Sequence, residues 1–233
     1  MRRYPSYPGW YVLLAFLLMA GTGLSQDWAN LKEYQMANAA LADPGPGEDR
    51  VVFMGNSITI GWLHTSPEFF EGKPYVNRGI GGQTTPQMLL RFRQDVIDLK
   101  PKVVLILAGT NDIAGNTGPM TLEQTLDNLK SMAELALAHG IEPVLCSVLP
   151  ARDFPWLPGL KPNEKIPRLN TMIRAYATKK DLVYLDYFST MANSQNGLDK
   201  ALAEDGVHPT RKGYELMGPL AEEAIRRALE KAR

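Results

Sequence analysis

Val51-Val52-Phe53-Met54-Gly55-Asn56-Ser57-Ile58-Thr59 is the stretch whose reading decides the fold. Val51–Met54 is a short run of apolar and β-branched residues, the pattern of a buried strand. Gly55 and Asn56 supply turn chemistry, because both tolerate backbone angles that other residues resist. Ser57 therefore stands where a strand ends and a helix is expected to begin. There the first backbone N–H groups lack partners and the dipole is positive, so negative charge developing nearby is stabilised. A serine alone is a poor nucleophile at neutral pH. It needs a base to take its proton and donors to hold an oxyanion.

Working outward, four more short apolar runs end in polar or glycine-bearing turns: Tyr75–Asn77, Val103–Ala108, Pro143–Leu149 and Leu182–Asp186. Helical patterns fill the gaps. Thr85-Pro86 reads as a cap and first-turn proline ahead of Met88, Leu89, Phe92 and Val96. Thr121 and Gln124 have capping-box spacing before Leu122, Leu126, Leu129 and Ala133, and Gly140 closes that helix. Leu169, Met172, Ile173 and Tyr176 mark another, and residues 210–232 the last. A helix is also expected over Asp27–Leu41, stopped by Pro44-Gly45-Pro46-Gly47. Five strands alternating with helices predict an α/β protein, a three-layer α/β/α sandwich around a five-stranded parallel sheet. Residues 150–162, rich in proline and aromatics, are expected to form a pocket wall or lid.

The composition, 45% hydrophobic and 21% charged, excludes disorder and coiled coil. The 233 residues carry a formal net charge of zero and no basic block, which speaks against nucleic acid as a partner. Arg2 and Arg3, an apolar run Tyr11–Ala20, and small residues at Gly21, Gly23 and Ser25 follow the order of a secretory signal peptide. Residues 1–25 are read as that leader and 26–233 as one domain. The apolar run is too short to cross a bilayer, which needs about 20 residues, and an uncleaved anchor is the alternative. No cysteine stands nearby to carry a lipid. Removing the leader leaves 23 basic and 25 acidic residues, near −2. Export to the periplasm or beyond follows. Cys146 is the only cysteine, in an apolar run, and is read as a small buried hydrophobe.

Ligands of an open α/β sheet bind outside the carboxyl ends of its strands. Ser57 follows the first strand, and Asn77-Arg78-Gly79-Ile80-Gly81-Gly82-Gln83-Thr84 the second. Gly109-Thr110-Asn111-Asp112 follows the third, and Asp205-Gly206-Val207-His208-Pro209 lies near the C-terminus. These segments offer a nucleophile, backbone donors, a carboxamide and an acid–base pair. Of the three histidines, His139 is explained by a helix C-terminus. His64 has no carboxylate at suitable spacing. His208 has Asp205 three residues back, leaving one ring nitrogen free to take a serine proton. Asp186 is the rival carboxylate. Each block has a bland alternative: Ser57 and Asn111 as helix caps, and Gly79–Gly82 as a tight turn or phosphate cradle.

Taken together and in order, the blocks resemble the SGNH/GDSL hydrolase superfamily. Gly55-Asn56-Ser57-Ile58-Thr59 is similar to its first block, with Asn56 where Asp is common. Gly79–Thr84, Gly109–Asp112 and Asp205–Pro209 are similar to the others. The resemblance implies a flavodoxin-like sheet and ester hydrolysis without metal or other cofactor. It implies Ser57 as nucleophile, His208 as base and Asp205 as the acid orienting it. Ser57 N–H, Gly82 N–H and the Asn111 side chain would be the oxyanion donors. Gln83 stands where many members carry Asp, a departure expected to touch only local loop structure. The Gly-Ile-Gly-Gly-Gln-Thr-Thr run is similar to the branch holding platelet-activating-factor acetylhydrolase-like enzymes and exported carbohydrate deacetylases. That implies short acyl groups, acetyl first, on small-molecule or carbohydrate esters.

Trp62, His64, Phe154 and Trp156 are the candidate substrate-binding residues. Thioesterase or lysophospholipase activity is the alternative within the superfamily. From other classes come a flavodoxin-type cofactor binder and a non-catalytic carbohydrate-binding protein stacking sugars on Trp62, Phe69, Phe70 and Trp156.

Overall fold

The computed structural model describes residues 27–232; the expected leader lies outside them. Five strands form one all-parallel sheet: β1 (Val51–Gly55), β2 (Tyr75–Gly79), β3 (Val103–Leu107), β4 (Glu142–Cys146) and β5 (Val183–Leu185). Their order across the sheet is β2-β1-β3-β4-β5, the flavodoxin-like order. Strands buried on both faces read as continuous apolar runs, and β1 and β3 are buried at every position.

Alternate residues of each strand feed opposite layers, as the two-residue period requires. Val52, Met54, Val104 and Ile106 pack with Met88, Phe92, Leu129, Met132, Leu169 and Ile173. Those side chains come from α3 (Thr85–Asp95), α5 (Leu122–Ala138) and α6 (Pro162–Lys179). Val51, Phe53, Val103 and Leu105 pack on the other face with Ile58, Trp62, Tyr214, Met217 and Ile225. These belong to α2 (Ser57–Thr65) and α8 (Arg211–Lys231). Among the described residues there are also three short α-helices, α1 (Gln35–Ala40), α4 (Thr110–Ala114) and α7 (Tyr187–Met191).

Two expectations are corrected. The helix expected over Asp27–Leu41 is helical only in α1. Asp27 instead accepts from the backbone of Leu31 and Lys32, and tight turns follow. Here a carboxylate side chain competes with the helix ladder for backbone donors. The cap of α3 is Thr84 and not Thr85, in a reciprocal box with Gln87. Thr85 is spent elsewhere, on Asp112. The box at Thr121 and Gln124 forms as expected.

Two glycines let α2 lie directly across the sheet edge. A Cβ on Gly55 would meet the Leu107 carbonyl at 2.9 Å, and one on Gly79 would meet the Asn56 carbonyl at 2.8 Å and overlap the Ile60 nitrogen. The atoms that crowd Gly79 are main chain of the cap and first turn of α2 and cannot swing away as a flexible side chain can. Gly79→Ala is therefore expected to cost about 3 kcal/mol of stability, read from the urea midpoint; an unchanged midpoint contradicts this packing.

Candidate active site

Helix α2 opens at the end of β1. Asn56 caps it, its Oδ1 accepting the Ile58 N–H at 3.0 Å. Ser57 is the first helical residue and is half-buried. Its N–H is one of the donors a helix cannot satisfy internally. Tyr214 of α8 donates to the Ile58 carbonyl at 2.8 Å and fastens this first turn to the far end of the chain.

The loop before α8 carries His208. Asp205 Oδ1 accepts the N–H groups of Val207 at 2.9 Å and His208 at 2.8 Å, folding the loop into a tight turn. Its Oδ2 lies 2.6 Å from His208 Nδ1. Ser57 Oγ lies 2.9 Å from His208 Nε2, across 151 residues of sequence. A proton on Nδ1, facing the carboxylate, leaves Nε2 as the acceptor toward the hydroxyl. Partial burial raises the Asp205 carboxyl, but hydrogen bonds from the His208 ring and from the His208 and Val207 N–H groups outweigh it. The net effect holds the carboxyl below its ordinary range. The rival Asp186 is engaged elsewhere, capping α7 through the Ser189 N–H and pairing with Arg174.

The loops after β2 and β3 meet beside this pair. Gly82 has φ +74°, a left-handed backbone suited to glycine, and its carbonyl accepts from Asn116 Nδ2 at 3.0 Å. Asn111, in α4, is buried, and its Nδ2 donates to the Gln83 carbonyl at 2.9 Å. The role of Asp112 beside it is not announced by its place in the sequence. Buried, it accepts the Thr85 N–H at 3.1 Å and the Thr85 hydroxyl at 2.5 Å, joining the two loops. Burial pushes its carboxyl up, and the Thr85 hydrogen bonds oppose that shift.

The four candidate substrate-binding residues separate. Trp62 is only 2% exposed, wedged between Phe69 and Tyr214 at ring distances of 4.3 and 5.4 Å. Phe154 is wholly buried. Neither presents a face to a ligand; apolar area here goes to the core. His64 is exposed on the last turn of α2. Trp156 alone stands at the site, 47% exposed, stacked on Phe154 at 5.3 Å, with its ring 6.1 Å from that of His208.

The chain belongs to the GDSL-like lipase/acylhydrolase family, whose model matches residues 53–216. Membership places it among hydrolases acting on carboxylic esters. It is similar to the solved structure of a GDSL-like lipase from Bacteroides thetaiotaomicron, 49% identical with a TM-score of 0.84, covering 86% of this chain and 98% of that one. An acetylxylan esterase from Xylanibacter ruminicola is 28% identical over 230 residues, 82% of this chain and 46% of the esterase. The uncharacterized lipoprotein YqeF of Bacillus subtilis is 37% identical over 123 residues, 46% of this chain and 51% of YqeF. The chain thus spans about half the length of these two curated relatives.

A serine hydroxyl held on an imidazole nitrogen reacts with phosphonylating reagents far faster than a free one. A fluorophosphonate probe is expected to label Ser57 alone, located by peptide mass spectrometry, and Ser57→Ala is expected to stay unlabelled. Label spread over several serines would contradict an activated Ser57.

Proposed function

We propose that the protein is an exported serine esterase that removes short acyl groups, acetyl first, from small-molecule or carbohydrate esters. The observation that carries this reading is the run of contacts from Ser57 Oγ through the His208 ring to Asp205, at 2.9 and 2.6 Å.

In this mechanism His208 Nε2 takes the Ser57 proton as Oγ attacks the ester carbonyl. The tetrahedral oxyanion is held by Ser57 N–H, Gly82 N–H and the Asn111 carboxamide. His208 returns its proton to the departing alcohol, leaving an acyl-serine. A water, deprotonated by the same nitrogen, then frees the acid and regenerates the hydroxyl. Asp205 keeps the ring in the productive tautomer and stabilises the imidazolium that forms. Its carboxyl is held low, so it stays ionised across neutral pH.

The alcohol side is supported by two features. Trp156 offers an exposed aromatic face beside His208, and sugar rings pack their C–H faces on such surfaces. A cleft of about 470 Å³ adjoins Asp205 and Gly206, its wall mixing Pro155, Pro158 and Leu198 with the polar Arg152, Asn193 and Gln195. Hydroxyl-rich alcohols suit such a lining. The acetylxylan esterase among the relatives agrees with this choice. Export rests on the order of residues 1–25; no helix among the described residues is long and apolar enough to cross a membrane. The sugar-binding alternative loses ground, because its stacking surface needs Trp62 and Phe70, which are buried.

Ser57→Ala is expected to abolish turnover of p-nitrophenyl acetate with little change in stability, and Asn111→Ala to lower kcat about 10²–10³-fold. Parental turnover by Ser57→Ala overturns the mechanism. On a panel of p-nitrophenyl acetate, butyrate and palmitate with acetylated xylose, the acetyl esters are expected to lead. Trp156→Ala is expected to raise KM for acetylated xylose and spare p-nitrophenyl acetate; equal changes for both would remove Trp156 from sugar recognition.

A further inference from the structure

Arg91 of α3 is wholly buried. A guanidinium there has lost its water, and it is tolerated only where its N–H groups find acceptors. Nη1 donates to Asp95 Oδ2 at 2.9 Å, one turn along the same helix. Nη2 donates to the Arg78 carbonyl at 2.9 Å and the Gly55 carbonyl at 3.1 Å. Nε donates to Gln83 Oε1 at 2.5 Å. One side chain thus gathers the end of β2, the end of β1 two residues before Ser57, and the glycine loop between β2 and α3.

Gln83 is buried, and both ends of its carboxamide are engaged. While Oε1 takes Arg91, Nε2 donates to the Ala29 carbonyl at 2.7 Å. Its own backbone carbonyl accepts from Asn111 Nδ2 at 2.9 Å. A carboxamide has two N–H donors on one planar nitrogen. Fixing one of them fixes the direction of the other.

We propose that Gln83 is a positioning residue for Asn111: clamped between the Arg91 guanidinium and the Ala29 carbonyl, it holds the carbonyl that aims the Asn111 amide. This rests on the reading of Asn111 as an oxyanion donor. It extends the role of Gln83 beyond local loop structure, the only effect its identity was expected to have. The clamp also reaches the segment ahead of β1. There Gln87 and Gln94 donate to the Trp28 and Leu31 carbonyls, both at 2.6 Å, and the Tyr34 hydroxyl donates to the Gly79 carbonyl. The start of the described chain and the oxyanion loop are therefore one hydrogen-bonded unit.

The test is a double-mutant cycle in the full chain: parent, Gln83→Ala, Asn111→Ala and the pair, assayed with p-nitrophenyl acetate alongside thermal melting. Gln83→Ala is expected to lower kcat roughly tenfold or more, within the range for a lost donor, with KM little changed. In the Asn111→Ala background the same substitution is expected to change kcat hardly at all, because the group it positions is gone. Gln83→Glu keeps an acceptor for Arg91 but loses the donor to the Ala29 carbonyl, and is expected to recover only part of the kcat lost in Gln83→Ala. If Gln83→Ala does not fold, Gln83→Met, which keeps the volume and removes both polar contacts, takes its place. Equal losses in both backgrounds, or parental kcat in the single variant, overturn the positioning role while the mechanism stands. Parental kcat in Asn111→Ala alone overturns the oxyanion reading, and this inference with it.

Discussion

Gly55 stands level with Gly79 on one side and with Leu107 on the other, so β1, β2 and β3 end in register. Three chain segments leave the sheet along a single rim as a result. The closeness that follows is possible only because Gly55 and Gly79 carry no side chain: Thr59 and the Leu107 carbonyl crowd the first, Asn56 and Ile60 the second. Helix α2 can then start immediately over the strand ends. Ser57 is delivered at a helix N-terminus with its backbone N–H unspent, while α8 brings His208 from the other end of the sequence.

The two sides of this rim are built differently. Beneath Ser57 and the glycine loop lies a polar interior: Arg91, Asp95, Asp112, Gln83, Asn111 and Asn77 are all buried. Asn77 bridges β2 to α2, donating to the Thr59 carbonyl at 2.7 Å while accepting the Gly79 N–H at 3.0 Å. Removing one member of such a pair leaves a buried charge or donor unmatched, which costs about 3–5 kcal/mol for an ion pair like Arg91–Asp95. The geometry on this side is set by an all-or-none network. Asp205 and His208 sit oppositely, each side chain 42% exposed on a loop. Solvent screens their charges there, so the hydrogen bonds to Asp205 align the His208 ring more than they impose a strong local field.

How much of this was legible in the sequence follows the range of the interactions. The strands were readable because a parallel sheet buries both faces, and Val51–Met54 and Val103–Leu107 carry that as unbroken apolar runs. The meeting of Ser57, Asp205 and His208 could be anticipated because each stands in a short block of distinctive spacing. Trp62 and Phe154 were not placed correctly, since an aromatic residue reads alike in a core and in a binding wall. The Asp27–Leu41 segment carried a helical pattern, and the Asp27 side chain diverted the backbone donors. Arg91 and Asp95 did leave a trace: they lie four apart, interleaved with the inward Met88 and Phe92. Two of the partners of Arg91, the carbonyls of Gly55 and Arg78, are backbone groups, which no residue pattern announces. The part played by Gln83 was hidden for the same reason, because its contacts with Ala29 and Asn111 both use main-chain carbonyls.

The most direct measurement is a crystal structure of the enzyme phosphonylated by a p-nitrophenyl alkylphosphonate, whose adduct copies the tetrahedral intermediate. The account predicts a covalent bond to Ser57 Oγ, with the phosphoryl oxygen within hydrogen-bonding distance of Ser57 N–H, Gly82 N–H and Asn111 Nδ2. An adduct whose oxygen turns to solvent, or one formed on another side chain, would contradict it.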